Sequence, residues 1–184
     1  MQIAEGVSKV LYFRKIGDAK DGATLVLQQE HSKSYKRDRE AVVTKYGRVF
    51  KKGSLEDEVS ITALQATDDP CYEMLEDSIV EGYAIECWEI DLSKKDESSG
   101  KFQGEYRQGW MTEWESTSPS EDDPTVEGTM VTFAKRQKGL CTVPESDLQG
   151  ILGYVFHDLI ASDVADDGLA ELPSDTVPEE VPTV

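Results

Sequence analysis

Residues 54–64 (SLEDEVSITAL) alternate between apolar and polar side chains. Leu55, Val59, Ile61 and Ala63 share one face, and Glu56, Glu58, Ser60 and Thr62 share the other. A period of two puts successive side chains on opposite faces of a pleated strand, so this segment is predicted to be a strand with one buried and one wet face. Asp57 falls among the apolar positions, where a strand end or bulge is expected. A different period starts at Asp69-Pro70. Asp69 can accept hydrogen bonds from the first free amides of a helix, and Pro70 suits the first helical position because it has no N–H to leave unpaired. Cys71, Met74, Leu75, Ser78 and Ile79 then recur at helical spacing, and Gly82 offers a left-handed cap. These residues predict one helix over about 69–82.

The rest of the pattern is mostly that of strands. Residues 7–15 (VSKVLYFRK) are largely apolar, β-branched or aromatic, and the turn pairs Gly17-Asp18 and Asp21-Gly22 separate them from a second strand at 24–29 with a polar continuation to Tyr35. Residues 83–92 carry Trp88, Ile90 and Leu92 on one face and Ile85 and Cys87 on the other, as a central strand does. Residues 102–117 put Phe102, Tyr106, Trp110 and Trp114 at period two, an aromatic stripe expected in the core, with Glu113 and Glu115 on the polar side. Residues 126–135 read as the last strand of the body. The stretch 37–53 has little periodicity and contains Gly47 and Gly53, so a long loop is expected; connections of that length tend to be functional. Beyond Pro144, residues 151–160 are one isolated apolar segment able to add to a sheet edge. Residues 161–184 are too acidic to pack and are expected to be disordered in a monomer. The expectation is a mainly-β domain over 1–144 with one flanking helix, and an acidic extension over 145–184.

Composition narrows the function. A chain of 184 residues can sustain one core without staples. Its net charge of −18 excludes a sequence-reading nucleic-acid binder, which needs a basic face to neutralise phosphates. No apolar run reaches the roughly 18 residues of a membrane span. The first residues have neither the basic start nor the apolar region of a signal peptide, so a soluble cytoplasmic product without membrane partners is expected. Cys71, Cys87 and Cys141 are widely spaced, with no Cys-x-x-Cys pair, and read as reduced thiols acting as small hydrophobes. The charge is uneven. Ten acidic and no basic residues follow position 144, whereas Lys33, Lys36, Arg37, Arg39, Lys45, Arg48, Lys51 and Lys52 cluster against only Asp38 and Glu40. That basic run is either a solvated loop or an arm seeking an acidic surface on another molecule, such as a second copy of the chain.

No catalytic constellation can be assembled. His31 and His157, the only histidines, lie in strand-like contexts without a nucleophile setting. Neither a GxGxxG nor a phosphate-loop motif is present. Residues 163–171 resemble part of a calcium loop, but Ala165 and Ser174 occupy ligand places. No enzyme activity, cofactor or metal is expected.

The segments at 10–19, 31–49, 53–64, 69–82, 85–92 and 100–115, in that order and spacing, resemble the major tail proteins of long, non-contractile-tailed phages of Gram-positive hosts. The resemblance spans about residues 7–139 and leaves out the acidic C-terminal forty. It implies a β-sandwich or barrel with one helix, six copies to a ring, and rings stacked into a tube assembled in the host cytoplasm and carried in the virion tail. In that family each subunit lends about four strands to an inner barrel of twenty-four. Strands about 4.8 Å apart and tilted about 40° then enclose a bore with a backbone diameter of roughly 50 Å. It also implies partners: other copies of the chain, a tape measure protein, tail-tip and tail terminator proteins, and DNA only as passing cargo. Glu56, Glu58, Ser60, Thr62, Glu113 and Glu115 become candidates for the lumen. Lys36, Arg37, Arg39, Lys45, Arg48, Lys51 and Lys52 become candidates for an arm between rings. A different class stays open, a non-enzymatic β-sandwich decoration or carbohydrate-binding module whose sign would be exposed tryptophans.

Overall fold

The computed structural model describes residues 8–66, 68–120, 122–144 and 147–148. Within them the chain runs β1 (Lys9–Lys15), β2 (Gln28–Thr44), β3 (Gly47–Leu64), α1 (Pro70–Glu81), β4 (Ile85–Lys95), β5 (Phe102–Thr117), β6 (Thr125–Thr132) and β7 (Gln137–Cys141). The strands form one sheet in the order β1-β4-β5-β6-β3-β2, with β7 also paired to β5. All pairings are antiparallel. β6 lies against residues 109–117 of β5 and β7 against residues 102–106, so the two strands follow one another along the same edge. Among the described residues the architecture is of the expected class, mainly β with one flanking helix, although a further strand, β7, follows the expected last one at 126–135.

Cross-strand register decides which side chains meet. Phe13, Cys87 and Arg107 form one row on the inner face. Val59, Met130 and Met111 form another. The helix lays Cys71 and Leu75 on this face, joining Leu11, Phe13, Ile61, Ile85 and Val126 in one core. Each large side chain removed from water there stabilises the fold by about 1.5–3 kcal/mol. The sheet curls until its two ends face each other. The Leu11 amide of β1 donates to Gln28 Oε1 of β2 at 3.2 Å, and Lys33 Nζ of β2 reaches Glu89 of β4 at 2.8 Å.

The helix begins and ends where its sequence signals lie. Asp69 is extended (φ −86°, ψ 106°), and its Oδ1 accepts from the Cys71 amide at 2.9 Å and the Tyr72 amide at 3.3 Å. Its Oδ2 accepts from the Val26 amide at 3.1 Å, which ties the helix start to the segment before β2. Gly82 closes the helix at φ 73°.

The stretch expected to be a long loop is instead a hairpin. β2 and β3 stay paired from Arg39↔Lys52 to Thr44↔Gly47. This ribbon buries neither face, so burial imposes no alternation on its sequence. The second strand also begins later than expected, at Gln28, because residues 24–27 are drawn off by the bridge between Ala23 and Phe13. Asp57 lies inside β3 and is 1% exposed, not at a strand end. A register shift does lie close to it, between Arg37 and Arg39, opposite residues 52–55. A buried arginine holds Asp57 inside.

The aromatic stripe of β5 is split. A register shift between Met111 and Glu113 inserts one residue and reverses the facing of everything beyond it. Trp114 therefore turns to the core side and meets Tyr72 edge-on with ring centroids 5.4 Å apart. Trp110 faces the other way, 45% exposed, and stacks on Phe133 at 4.7 Å. Gly128 makes room for Trp114, since a Cβ there would stand 2.6 Å from the indole.

The described residues beyond Cys141 belong to a separate unit, within which the Leu148 amide donates to the Pro144 carbonyl at 3.2 Å. The apolar segment at 151–160, His157 and the acidic tail at 161–184 lie outside the described residues.

Candidate assembly surfaces

Two polar stripes far apart in sequence share one surface. On the face turned away from the core, register places Glu30, Thr62, Glu127 and Glu115 in a row across β2, β3, β6 and β5. Ser32, Ser60, Thr129 and Glu113 form the next row, and Ser34, Glu58, Val131 and Trp110 the one after it. Lys36 and Glu56 continue the face on β2 and β3, with an ion pair at 3.4 Å. The Ser60 and Thr129 hydroxyls lie 3.4 Å apart. The candidate residues Glu56, Glu58, Ser60 and Thr62 thus join Glu113 and Glu115 through β6, which lies between the two stripes. Glu30, Glu127 and Thr129 were missed. The alternation in 125–132, with Val126 and Met130 buried between exposed Glu127 and half-buried Thr129 and Val131, is the signal that finds two of them.

This four-stranded block has an unpaired backbone edge on each side among the described residues. β2 pairs only with β3. Pairing of β5 with β4 stops at Gly109, so residues 110–117 pair with β6 alone. Free N–H and C=O groups along such edges are templates for another strand.

The basic candidates occupy the β2–β3 ribbon. Pairing of β3 with β6 stops at Glu58, and beyond it the two strands project as a hairpin carrying Lys36, Arg37, Arg39, Arg48, Lys51 and Lys52, with Lys45 in the turn. Arg37 Nη1 donates to the Gly53 carbonyl at 2.8 Å. At Gly53 itself the Asp38 carbonyl approaches so closely that no Cβ fits. Thr44 Oγ1 donates to the Gly47 carbonyl at 2.8 Å and accepts from the Tyr46 amide at 3.2 Å, shaping the tip. Val43, Tyr46, Val49 and Phe50 are all more than half exposed along it. A two-stranded ribbon is marginal in water on its own, and one with this much apolar surface calls for a partner. Lys33, the first member of the basic run, is turned inward instead.

Lys33 belongs to a buried charge network between the ends of the sheet. Its ammonium bridges Glu89 at 2.8 Å and Glu105 at 3.0 Å. Arg107, with no exposed side-chain surface, contacts Asp57 at 3.3 Å, Glu105 at 2.8 Å and the Tyr35 hydroxyl at 2.5 Å. Arg136 also reaches Glu105. Burial would push the Glu89 carboxyl up, but the His31 ring at 3.7 Å and the Lys33 ammonium at 2.8 Å outweigh it and hold the group at about 2. At Asp57 burial wins over Arg107, and the carboxyl is raised. Burial pulls the Arg107 guanidinium down, yet Glu105 and Asp57 hold it above its ordinary value. Sequence spacing gave no hint of this network, whose members come from β2, β3, β4, β5 and the β6–β7 connection. It closes the sheet. Cys71 and Cys87 are free thiols in the core, both raised by burial, the latter to about 12. Among the described residues no cluster of His, Cys, Asp and Glu is placed to hold a metal ion, and no helix is long and apolar enough to cross a membrane.

A protein assigned to the tail of Staphylococcus phage phiMR25 is 26% identical over 159 residues, which are 84% of this chain and 82% of that one. The solved tail tube of SPP1 shares the fold with a TM-score of 0.68 at 15% identity, over 83% of this chain and 87% of that one. The tail of a gene transfer agent particle, solved with C6 symmetry, gives 0.59 at 12% identity, over 73% and 98%. Residues 3–138 match the family model for the phage tail tube protein, and the chain therefore belongs to that family of structural virion proteins.

Proposed function

We propose that this chain polymerises as stacked rings, six copies to a ring, into the tube of a long non-contractile phage tail of a Gram-positive host. The carboxylate and hydroxyl face of β2, β3, β6 and β5 would line the bore. The observation that carries the reading is the four-stranded block itself. Its strands alternate in direction and end on two free edges, β2 and residues 110–117 of β5. A copy related by rotation about an axis along the strands brings its β2 beside the β5 of its neighbour, antiparallel again, so the alternation continues around a ring. Six blocks of four strands give the inner barrel of twenty-four.

The chemistry of the face suits a conduit. Duplex DNA carries about one negative charge per 1.7 Å of axis. A wall bearing Glu30, Glu56, Glu58, Glu113, Glu115 and Glu127 repels it, and the hydroxyls between keep the wall wet, so the duplex passes without adhering. Like charges facing one another across the bore cost stability, which edge pairing and the ribbons offset. In this reading the basic ribbon reaches acidic surface on the adjacent ring, the acidic 145–184 segment is an extension to the tube domain, and tape measure, tail-tip and terminator proteins meet the tube inside and at its ends. The exposed Trp110–Phe133 pair favours a second reading, a carbohydrate platform on a virion decoration module.

Negative-stain electron microscopy of the concentrated protein, beside a sizing column, tests the proposal. Hollow tubes or six-fold rings are expected. A tube whose map puts Glu58 and Glu115 on the outer wall refutes the lumen assignment, and saturable sugar binding by a chain that never polymerises supports the second reading.

A further inference from the structure

The helix turns an acidic face to solvent. Glu73, Glu76, Asp77 and Glu81 are exposed at helical spacing, and Val80 among them is 74% exposed. The last turn holds no basic residue, so Asp77 and Glu81 sit at the negative end of the helix dipole without compensation. None of the ion pairs formed by described residues includes these four carboxylates.

The ribbon presents the complementary surface. Register places Arg39 opposite Lys52, Ala41 opposite Phe50 and Val43 opposite Arg48, so one of its faces carries three cations around Phe50 and Val43. The other face, with Glu40 opposite Lys51 and Val42 opposite Val49, is nearly neutral. The two surfaces cannot meet within one chain. The ribbon tip lies at the start of β3 and the helix follows its end, and a strand of 18 residues spans roughly 60 Å.

Resting on the tube reading above, we propose that the Arg48–Phe50–Lys52 face of the ribbon of one copy docks on the outward face of α1 of a second copy, with Phe50 against Val80. Charge complementarity selects the partner, and the apolar pair at the centre excludes water from the surrounding ion pairs. The contact joins two different surfaces of the chain and is therefore heterologous. Repeated, it adds copies along an axis.

Two populations of the full chain test this, both with Cys141→Ser, one carrying Phe50→Cys and the other Val80→Cys. Mixed under mild oxidation, they are expected to give a disulfide-linked dimer of mixed composition at least tenfold in excess over either same-variant dimer. Arg48→Glu/Lys52→Glu in the first population should abolish it, Lys51→Glu should not, and Glu76→Lys/Asp77→Lys in the second should restore it to the reversed ribbon. Circular dichroism confirms that each variant is folded. Tubes with no mixed dimer overturn the helix as the docking surface and leave the tube reading standing. A mixed dimer without tubes upholds the contact and refutes the tube reading, and absence of both refutes both.

Discussion

Replacing Arg107 by Met isolates the energetics of the closed sheet. The guanidinium has no exposed surface, and its partner Asp57 is 1% exposed. Removing the cation leaves the Asp57 carboxylate buried without its ion-pair partner, with only the field of Arg136 opposing its charge, takes one of the cations from Glu105 and takes the donor from the Tyr35 hydroxyl. Breaking a buried pair from one side costs about 3–5 kcal/mol, because the stranded charge keeps its desolvation penalty. For a domain of this size each kcal/mol lowers the melting temperature by about 2–4 °C, so a fall of roughly 10 °C is expected. Urea unfolding followed by tryptophan fluorescence measures the same loss as a lower midpoint. The double variant Arg107→Met/Asp57→Leu should recover most of it, since both desolvation penalties vanish together while Glu105 keeps Lys33 and Arg136. The sign of the pH dependence is a second check. Burial already raises the Asp57 carboxyl, and losing Arg107 raises it further, so the folded variant takes up a proton that the unfolded chain does not. The deficit of Arg107→Met should therefore shrink as pH falls from 7 toward 4. A single-variant loss below about 1 kcal/mol, or a double variant no better than the single, would refute the reasoning.

Glu89 is held at about 2 against an ordinary 4.5, so its contribution is complete above about pH 4.5 and lost as pH falls through 2; Glu89→Gln should flatten the acid limb of the stability curve by up to about 3 kcal/mol. Asp69→Ala removes acceptors for the Cys71, Tyr72 and Val26 amides, and calorimetry should show a loss of about 1–2 kcal/mol, with Asp69→Asn recovering part of it. Gly53→Val sets a side chain against the Asp38 carbonyl and should abolish polymerisation while the melting temperature of the body stays within a few degrees, because the core does not include the ribbon. Trp110 is the most exposed of the three tryptophans, so Trp110→Phe should remove most of the acrylamide-quenchable fluorescence; unchanged quenching would contradict the outward facing of Trp110.

The amino-acid sequence by itself determined what local chemistry governs. The cap at Asp69-Pro70, the stripe from Cys71 to Ile79 and the stop at Gly82 act within a few residues of one another, and the helix formed where they put it. The alternation of Leu55, Val59, Ile61 and Ala63 marked a strand because a sheet buries one face of it. The same alternation turned Glu56, Glu58, Ser60 and Thr62 away from the core, so each stripe of the candidate surface was legible by itself.

What joined the stripes was not. Only register across β6 sets Ser60 level with Glu113, and register is a property of the assembled sheet. The ribbon was illegible for the opposite reason: with both faces solvated, no burial pattern distinguished its strands from a loop. Trp110 and Trp114 looked alike in sequence, and a single inserted residue sent one outward and the other to the core. Asp57 and Arg107 stand fifty positions apart, and an acid among apolar residues cannot announce a cation on another strand. Interactions within a helical turn or along one strand are written locally, whereas the tertiary fold alone decided which strands meet and what each buried charge finds beside it.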